Sequence, residues 1–150
     1  MLDIDPQTRH AIRNSFGSVL ADRVELSRRF YEGLFASHPE LRAMFPEDLT
    51  ELRRKFVDMI VVVIDSAIGP ATRLLEEAGA RHAGYGVLPE HYPVAREALL
   101  TALRESHPAG DPELERAWAA LLDAVIAAML RGAQSSLPRA PVDRTLGRMD

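Results

Sequence analysis

The stretch that decides the fold spans residues 81–93 and reads Arg81-His82-Ala83-Gly84-Tyr85-Gly86-Val87-Leu88-Pro89-Glu90-His91-Tyr92-Pro93. It contains the end of one helical stripe, then glycines and a proline, then the start of a second helical stripe. His82 continues the stripe set by Leu74 and Ala78, because residues three, four, seven or eight apart share one helix face. We therefore predict that His82 faces the interior near the end of its helix.

Helical spacing continues along the chain on both sides of this stretch. Apolar residues recur at intervals of three and four, and no segment shows the period of two that marks a half-buried strand. The β-branched run 60–64 is assigned to a helix because the stripe around it is long and helical. We predict an all-α fold of about seven helices, near residues 6–20, 21–36, 39–44, 48–68, 71–83, 89–106 and 111–135.

The composition is that of one globular domain. The chain has 150 residues, of which 47% are hydrophobic and 27% charged, enough for a sizeable core. A net charge of −4 without a basic block gives no support for nucleic-acid binding, and the absence of cysteine excludes disulfides and thiolate metal ligands. We assign residues 1–136 to the domain and 137–150 to a flexible C-terminal tail.

The chain ends and the apolar runs bear on location. The N-terminus is acidic and lacks the basic-then-apolar layout of a secretory signal. The longest apolar run, 59–64, is far shorter than the roughly 20 residues that cross a bilayer. These features predict a cytoplasmic protein that does not enter a membrane.

Histidine is the side chain through which a cysteine-free helical domain can hold a metal or cofactor. His38 and His107 each precede a proline at a helix boundary, His10 has polar neighbours, and His91 lies in a first turn. His82 differs because it lies on an apolar stripe. Considered without its neighbours, a histidine hydrogen-bonded in a core is commoner than a metal ligand, so the surroundings of His82 must decide.

Those surroundings resemble the proximal segment of single-domain bacterial haemoglobins and of the globin domain of flavohaemoglobins. In that family a histidine is followed by Gly-Val or Gly-Ile, here Gly86-Val87, and ten residues on by the tyrosine of a His-Tyr-Pro, here Tyr92. Trp118 resembles the tryptophan early in the family's last helix. The resemblance covers roughly residues 5–132 and includes the segments 30–35, 38–41, 44–45 and 52–56.

The resemblance implies a globin fold around a b-type haem. His82 would be the iron ligand, with its other ring nitrogen donating to the Ala78 carbonyl or to Tyr92. Tyr31 would point its hydroxyl into the distal pocket and stabilise bound dioxygen. The remaining cofactor contacts implied are Phe45 stacked on the haem, Phe56 over its distal face, Lys55 and Arg81 near the propionates, and Tyr85, Val87 and Tyr92 at its edge.

Two positions depart from the family's pattern. The distal position often filled by glutamine falls on Leu52, or on Arg53 if the helix register slips by one; the stripe places Leu52 inward and favours it. On the last helix, counting from Trp118, the glutamate that flavohaemoglobins pair with the proximal histidine falls on Ala133, with Gln134 beside it. This weakens the case for a strongly basic, peroxidase-like histidine.

The function implied is reversible binding of O2, NO and CO, with oxidation of NO to nitrate. Because no flavin reductase segment follows, turnover would need an external reductase. An oxygen carrier, an NO dioxygenase, a gas sensor and a haem-free globin-like interaction domain remain alternatives, and either a monomer or a homodimer fits. An absorption spectrum with added haemin separates the last alternative from the other three.

Overall fold

A computed structural model describes residues 4–68, 72–106 and 110–136 of the chain. These residues form six α-helices and one short 3-10 helix, with no strand among them, so the predicted all-α class is confirmed. The proposed tail 137–150 and His107 lie outside the described residues. The helices are α1 (Pro6–Ala21), α2 (Arg23–Ser37), the 3-10 helix (Pro39–Met44), α3 (Thr50–Ile68), α4 (Thr72–Gly84), α5 (His91–Ser106) and α6 (Pro112–Ser136).

Aspartate caps define where the first and last helices begin. The Thr8 backbone N–H donates to Asp5 Oδ1 at 2.7 Å, and the Leu114 N–H donates to Asp111 Oδ1 at 3.1 Å. Each bond satisfies one of the N–H groups that a helix start leaves unpaired, and a proline follows each cap directly. The bond from Thr8 also lowers the pKa of the Asp5 carboxyl.

The β-branched run 60–64 lies inside α3, as the stripe around it predicts. Ile60, Val63 and Ile64 are buried, whereas Val61 is 43% exposed. This is the three- and four-residue spacing of one helix face, so packing of that face overrides the weak helix propensity of β-branched side chains.

The core lies where α6 packs against α1, α4 and α5, and where α2 packs against α5. Trp118 and Leu121 of α6 are fully buried, as are Ile12 of α1, Leu26 of α2 and Leu75 of α4. By length and mean hydropathy α6 could cross a membrane. Its packing against three other helices identifies it instead as a core helix of a folded domain.

The stripe predicted for α4 is wrong at one residue. Leu74 is 53% exposed, whereas its neighbour Leu75 is completely buried together with Ala78. Leu75 and Leu74 precede His82 by seven and eight residues, and both intervals bring a side chain close to the face of His82. The sequence pattern therefore could not distinguish them, and the packing of α4 on α6 selects Leu75.

Candidate functional site

His82 lies in the last turn of α4 and is half-buried. Its Nδ1 lies 2.7 Å from the Ala78 carbonyl oxygen, one turn earlier. A carbonyl oxygen can only accept, so Nδ1 carries the proton and Nε2 of the neutral ring carries a lone pair. Burial lowers the pKa of His82, partly opposed by the Ala78 hydrogen bond and assisted by the charge of Arg81. The ring is therefore neutral near pH 7, the state in which imidazole binds a metal.

Two other histidines are held differently. His91 Nδ1 accepts from the Leu88 backbone N–H at 2.9 Å, which puts the proton of its neutral ring on Nε2. His10 is exposed, and its Nε2 lies 3.1 Å from the Asn14 side-chain amide. Within the described ranges, no three His, Asp or Glu side chains group closely enough to hold a bare metal ion. His82 thus has the tautomer that a metal-binding neutral imidazole needs, with its proton on Nδ1.

The end of α4 explains the Gly-Val that follows the histidine. The Gly86 N–H donates to the Ala83 carbonyl at 3.1 Å, and the Val87 N–H donates to the His82 carbonyl at 3.0 Å. These two bonds form a Schellman cap, which requires a residue with positive φ, and Gly86 has φ of 92°. The cap fixes the backbone of His82 and directs Val87, which is half-buried, back toward the helix.

Two tyrosines belong to this region: Tyr85 lies within the cap, and Tyr92 follows it. The ring centroids of Tyr85 and His82 are 6.3 Å apart. Tyr92 lies in the first turn of α5 and is 7% exposed, and its buried hydroxyl lacks a hydrogen-bond partner among the described residues. The Ala78 carbonyl, and not Tyr92, is therefore the partner of His82 in this structure.

Tyr31 lies at the centre of an aromatic cluster formed by α2, α3 and the corner between them. Its ring centroid is 6.0 Å from that of Phe45 and 5.7 Å from that of Phe56, both in edge-to-face geometry. On α2, Phe30 stacks on Phe56, and Phe35 packs edge-to-face against Phe45. The structure thus brings together the three aromatic residues that the sequence assigns to the distal side.

The Tyr31 hydroxyl is in an apolar setting. Tyr31 is 6% exposed, and burial raises its pKa to about 12, with the charge of Arg53 acting in the opposite direction. Leu52, the predicted distal residue, is buried in the core, with 6% exposure. Arg53 is half-buried, and its Nε is buried without a hydrogen-bond partner among the described residues. Both candidates for the distal position therefore lie partly inside the protein.

Two of the predicted cationic residues are exposed, and a third cation, Arg42, contacts the aromatic cluster. Lys55 and Arg81, the residues assigned to the propionates, are both exposed. Arg42 was not singled out by the sequence: its guanidinium donates to the carbonyls of Pro46 and Glu47, each at 2.8 Å, and lies over the Phe35 ring. These bonds hold the corner that carries Phe45. A half-buried arginine within a 3-10 helix gives no sequence signal for such a role.

A surface groove between α5 and α6 is the strongest competing location for a ligand. Its lining alternates arginines with acidic residues. The arginines are ion-paired: Arg96 with Asp123 at 2.8 Å, Arg104 with Glu115 at 2.5 Å and Arg116 with Glu113 at 2.7 Å. With its charges matched in this way, the groove offers little to a charged ligand, so the region of His82 and Tyr31 is kept as the candidate site.

The family model for globins matches residues 28–129, which include both His82 and the aromatic cluster. The chain belongs to the globin family. Among solved structures, this globin superposes on a bacterial globin from Campylobacter jejuni with a TM-score of 0.78 at 16% identity, covering 90% of this chain and all of the other. The predicted globin fold is confirmed by this match.

Two further relatives are closer in sequence. A flavohemoprotein of Bacillus subtilis is 26% identical over 121 residues, which cover 77% of this chain and 30% of that protein. A Rhodothermus marinus protein, assigned as a nitric oxide dioxygenase and engineered as a carbene transferase, is 26% identical, with a TM-score of 0.75, covering 90% of this chain and 96% of the other. This globin therefore spans less than a third of the length of the flavohemoprotein.

Proposed function

We propose that this globin holds a b-type haem with His82 as the axial iron ligand and binds O2 and other diatomic gases reversibly on the opposite face. The hydrogen bond from His82 Nδ1 to the Ala78 carbonyl carries the proposal, because it leaves the Nε2 lone pair for the metal. Neutral imidazole suits iron, and membership of the globin family supports haem as the group that supplies it.

The distal side is proposed to be the aromatic cluster around Tyr31. When bound, the haem supplies the iron that takes up the gas and exchanges electrons with it. Tyr31 would donate a hydrogen bond to a bound ligand that carries partial negative charge. Phe45 and Phe56 would pack on the haem and exclude water, and Leu52 would keep the pocket apolar.

The remaining residues would hold the edges of the cofactor. Lys55 and Arg81 are exposed cations, so each can pair with a propionate and remain hydrated. Tyr85, Val87 and Tyr92 follow His82 closely along the chain and would contact the haem edge near the Schellman cap. A cytoplasmic location and a single chain or homodimer complete this proposal.

Oxidation of NO to nitrate is the activity that the relatives favour. Their descriptions as flavohemoproteins and as a nitric oxide dioxygenase support it. The reaction combines NO, O2 and one electron to give one nitrate ion, so each cycle needs one electron from outside. An external reductase would supply that electron. Tyr31 is the chain's own contribution, because it would hold the bound O2 until NO arrives.

Binding of haemin to the purified protein tests this proposal. A Soret band should appear in the wild type and should be lost or grossly altered in His82→Ala. His91→Ala is the matched control, because His91 is also half-buried but uses Nδ1 to accept from a backbone N–H. Circular dichroism of the haem-free proteins checks that the wild type and both variants are folded. No haem uptake by the wild type, or an unchanged spectrum in His82→Ala, would overturn the proposal.

A further inference from the structure

Helices α4 and α6 touch backbone to backbone at two glycines. A Cβ built on Gly79 would lie 1.9 Å from the Met129 carbonyl oxygen, and one built on Gly132 would lie 1.8 Å from the Glu76 carbonyl oxygen. Helix axes usually lie 8–10 Å apart because side chains separate them. At this crossing each helix instead presents a glycine to the backbone of the other, and the contact between α4 and α6 is the most extensive in the molecule.

The crossing lies one turn before His82 on α4. Gly79 directly follows Ala78, whose carbonyl accepts from His82 Nδ1 at 2.7 Å. The α6 residues 129–132 therefore lie beside the α4 residues 76–79, one turn before His82. At the end of this stretch of α6 comes Ala133, the position where the resemblance to flavohaemoglobins places a glutamate. The chain has no carboxylate there to hold the imidazole.

We propose that Gly79 and Gly132 are positioning residues for His82. Backbone contact between α4 and α6, and not a carboxylate on α6, fixes where the imidazole lies relative to the iron. The inference rests on the proposed function, because it concerns the ligand that His82 provides. It goes further by identifying which packing contact sets the position of that ligand.

The distances from an added Cβ to the facing backbone show how sensitive the position of α4 is to a single methyl group. Contacts below 3.0 Å essentially never occur at a real Cβ, so an alanine at residue 79 must move its surroundings from 1.9 Å to at least 3.0 Å. The nearest atoms belong to the backbone of Met129, which cannot rotate away as a side chain could. A shift of about 1 Å moves α4 as a unit, whereas metal–ligand distances tolerate only about 0.2 Å.

Gly79→Ala and Gly132→Ala test the proposal in the haem-loaded protein. Each should shift the Fe–His stretching band in resonance Raman spectra of the ferrous form and lower haemin affinity by roughly tenfold to a hundredfold. Gly84→Ala is the matched control, because it lies on α4 nearer to His82 in sequence and an added Cβ there meets nothing within 4 Å. It should leave the band unchanged.

A second protein, in which free imidazole replaces the His82 side chain, distinguishes a positioning role from a general loss of structure. In His82→Gly protein loaded with haem and free imidazole, the axial ligand is no longer attached to α4. Adding Gly79→Ala there should leave the Fe–imidazole band unchanged if the crossing acts through His82. An unshifted Fe–His band in both folded alanine variants, a shift that persists with free imidazole, or failure of both variants to fold would each overturn the inference. Failure of the wild type to bind haem would instead overturn the proposed function.

Discussion

His82 and His91 show how one hydrogen bond decides the chemistry of an imidazole. His82 donates from Nδ1 to a carbonyl and keeps a lone pair on Nε2, whereas His91 accepts at Nδ1 and so carries its proton on Nε2. Sequence spacing identified His82 as the candidate, but it could not give either tautomer. The tautomer depends on which backbone group the ring meets, and that follows from helix ends that only the folded chain defines.

Tyr31 is expected to control how long oxygen stays bound. Tyr31 is buried and its ring packs on other aromatic rings, and a hydrogen bond to a partly charged acceptor in a buried site contributes about 1.5–3 kcal/mol. Tyr31→Phe keeps the ring and its packing but removes the donor. O2 dissociation measured by stopped flow should speed up by roughly tenfold to a hundredfold.

Two controls accompany this prediction. Dissociation of CO, whose bound form is much less polar, should change far less in Tyr31→Phe than dissociation of O2. Leu52→Ala should mainly change association, because it opens the pocket without removing a donor. Equal O2 dissociation rates in wild type and Tyr31→Phe would show that Tyr31 does not face the gas, and Arg53 would then be the residue to replace.

The raised pKa of Tyr31 predicts alkaline sensitivity of the haem-free protein. The pKa of its hydroxyl is about 12 in the folded chain and about 10 when unfolded, so the folded state favours the protonated, neutral hydroxyl. The resulting stabilisation is fully present below the unfolded pKa and is lost as pH rises toward the folded value.

Thermal melts at about pH 9 and about pH 11 measure this loss. Tyr31→Phe should lose less stability than wild type between the two conditions, because it has no hydroxyl to ionise. Tyr92, whose pKa is also raised by burial, is present in both proteins and cancels in the comparison. Identical losses would contradict the assigned environment of Tyr31.

At the scale of the helices, the sequence predicts what depends on local chemistry and apolar period. The caps at Asp5 and Asp111 and the long stripe of α3 place the predicted helices close to those observed. The predicted inward position of Leu74 is wrong, because Leu74 is exposed. Leu74 and Leu75 lie eight and seven residues before His82, so both fit the spacing of one helix face, and the pattern could not choose between them. Gly79, Gly132 and Arg42 were not identified, since their roles depend on which segments meet in three dimensions.

The bond between His82 of α4 and the haem iron should respond to a carboxylate placed on α6. Ala133 is half-buried and comes directly after Gly132, which contacts α4 at Glu76. A glutamate that displaces the Ala78 carbonyl as the acceptor of the His82 Nδ1 proton would make the imidazole more anionic, which strengthens its bond to iron. In Ala133→Glu, the Fe–His stretching frequency should therefore rise, and the weak peroxidase activity expected of the wild type should increase.

Gln134→Glu is the control for this change. It adds the same charge one residue further along α6 at an exposed position, so it should change neither the frequency nor the peroxidase activity. A fall in the Fe–His frequency in Ala133→Glu would contradict the assignment of that position from Trp118.

At the scale of the whole molecule, the need for electrons distinguishes reversible gas binding from repeated oxidation of NO. Reversible gas binding needs no net electron, whereas conversion of NO and O2 to nitrate consumes one electron in each cycle. The described residues pack around one hydrophobic core to which all six α-helices contribute buried side chains. With one haem per chain as its proposed redox centre, this globin can store one electron for the reaction.

Nitrate yield therefore tests the proposed enzymatic role. Ferrous, oxygen-loaded protein mixed with excess NO in the absence of a reductase should produce about one nitrate per haem and then stop, because each cycle consumes the stored electron. Adding a flavin reductase with its nicotinamide donor should restore repeated turnover, measured as nitrate per haem over time. Tyr31→Phe should lower that yield when NO is scarce, since O2 would leave before NO arrives. No nitrate in the first cycle would contradict NO oxidation and leave reversible gas binding as the function. More than one nitrate per haem without any donor would contradict the one-electron stoichiometry.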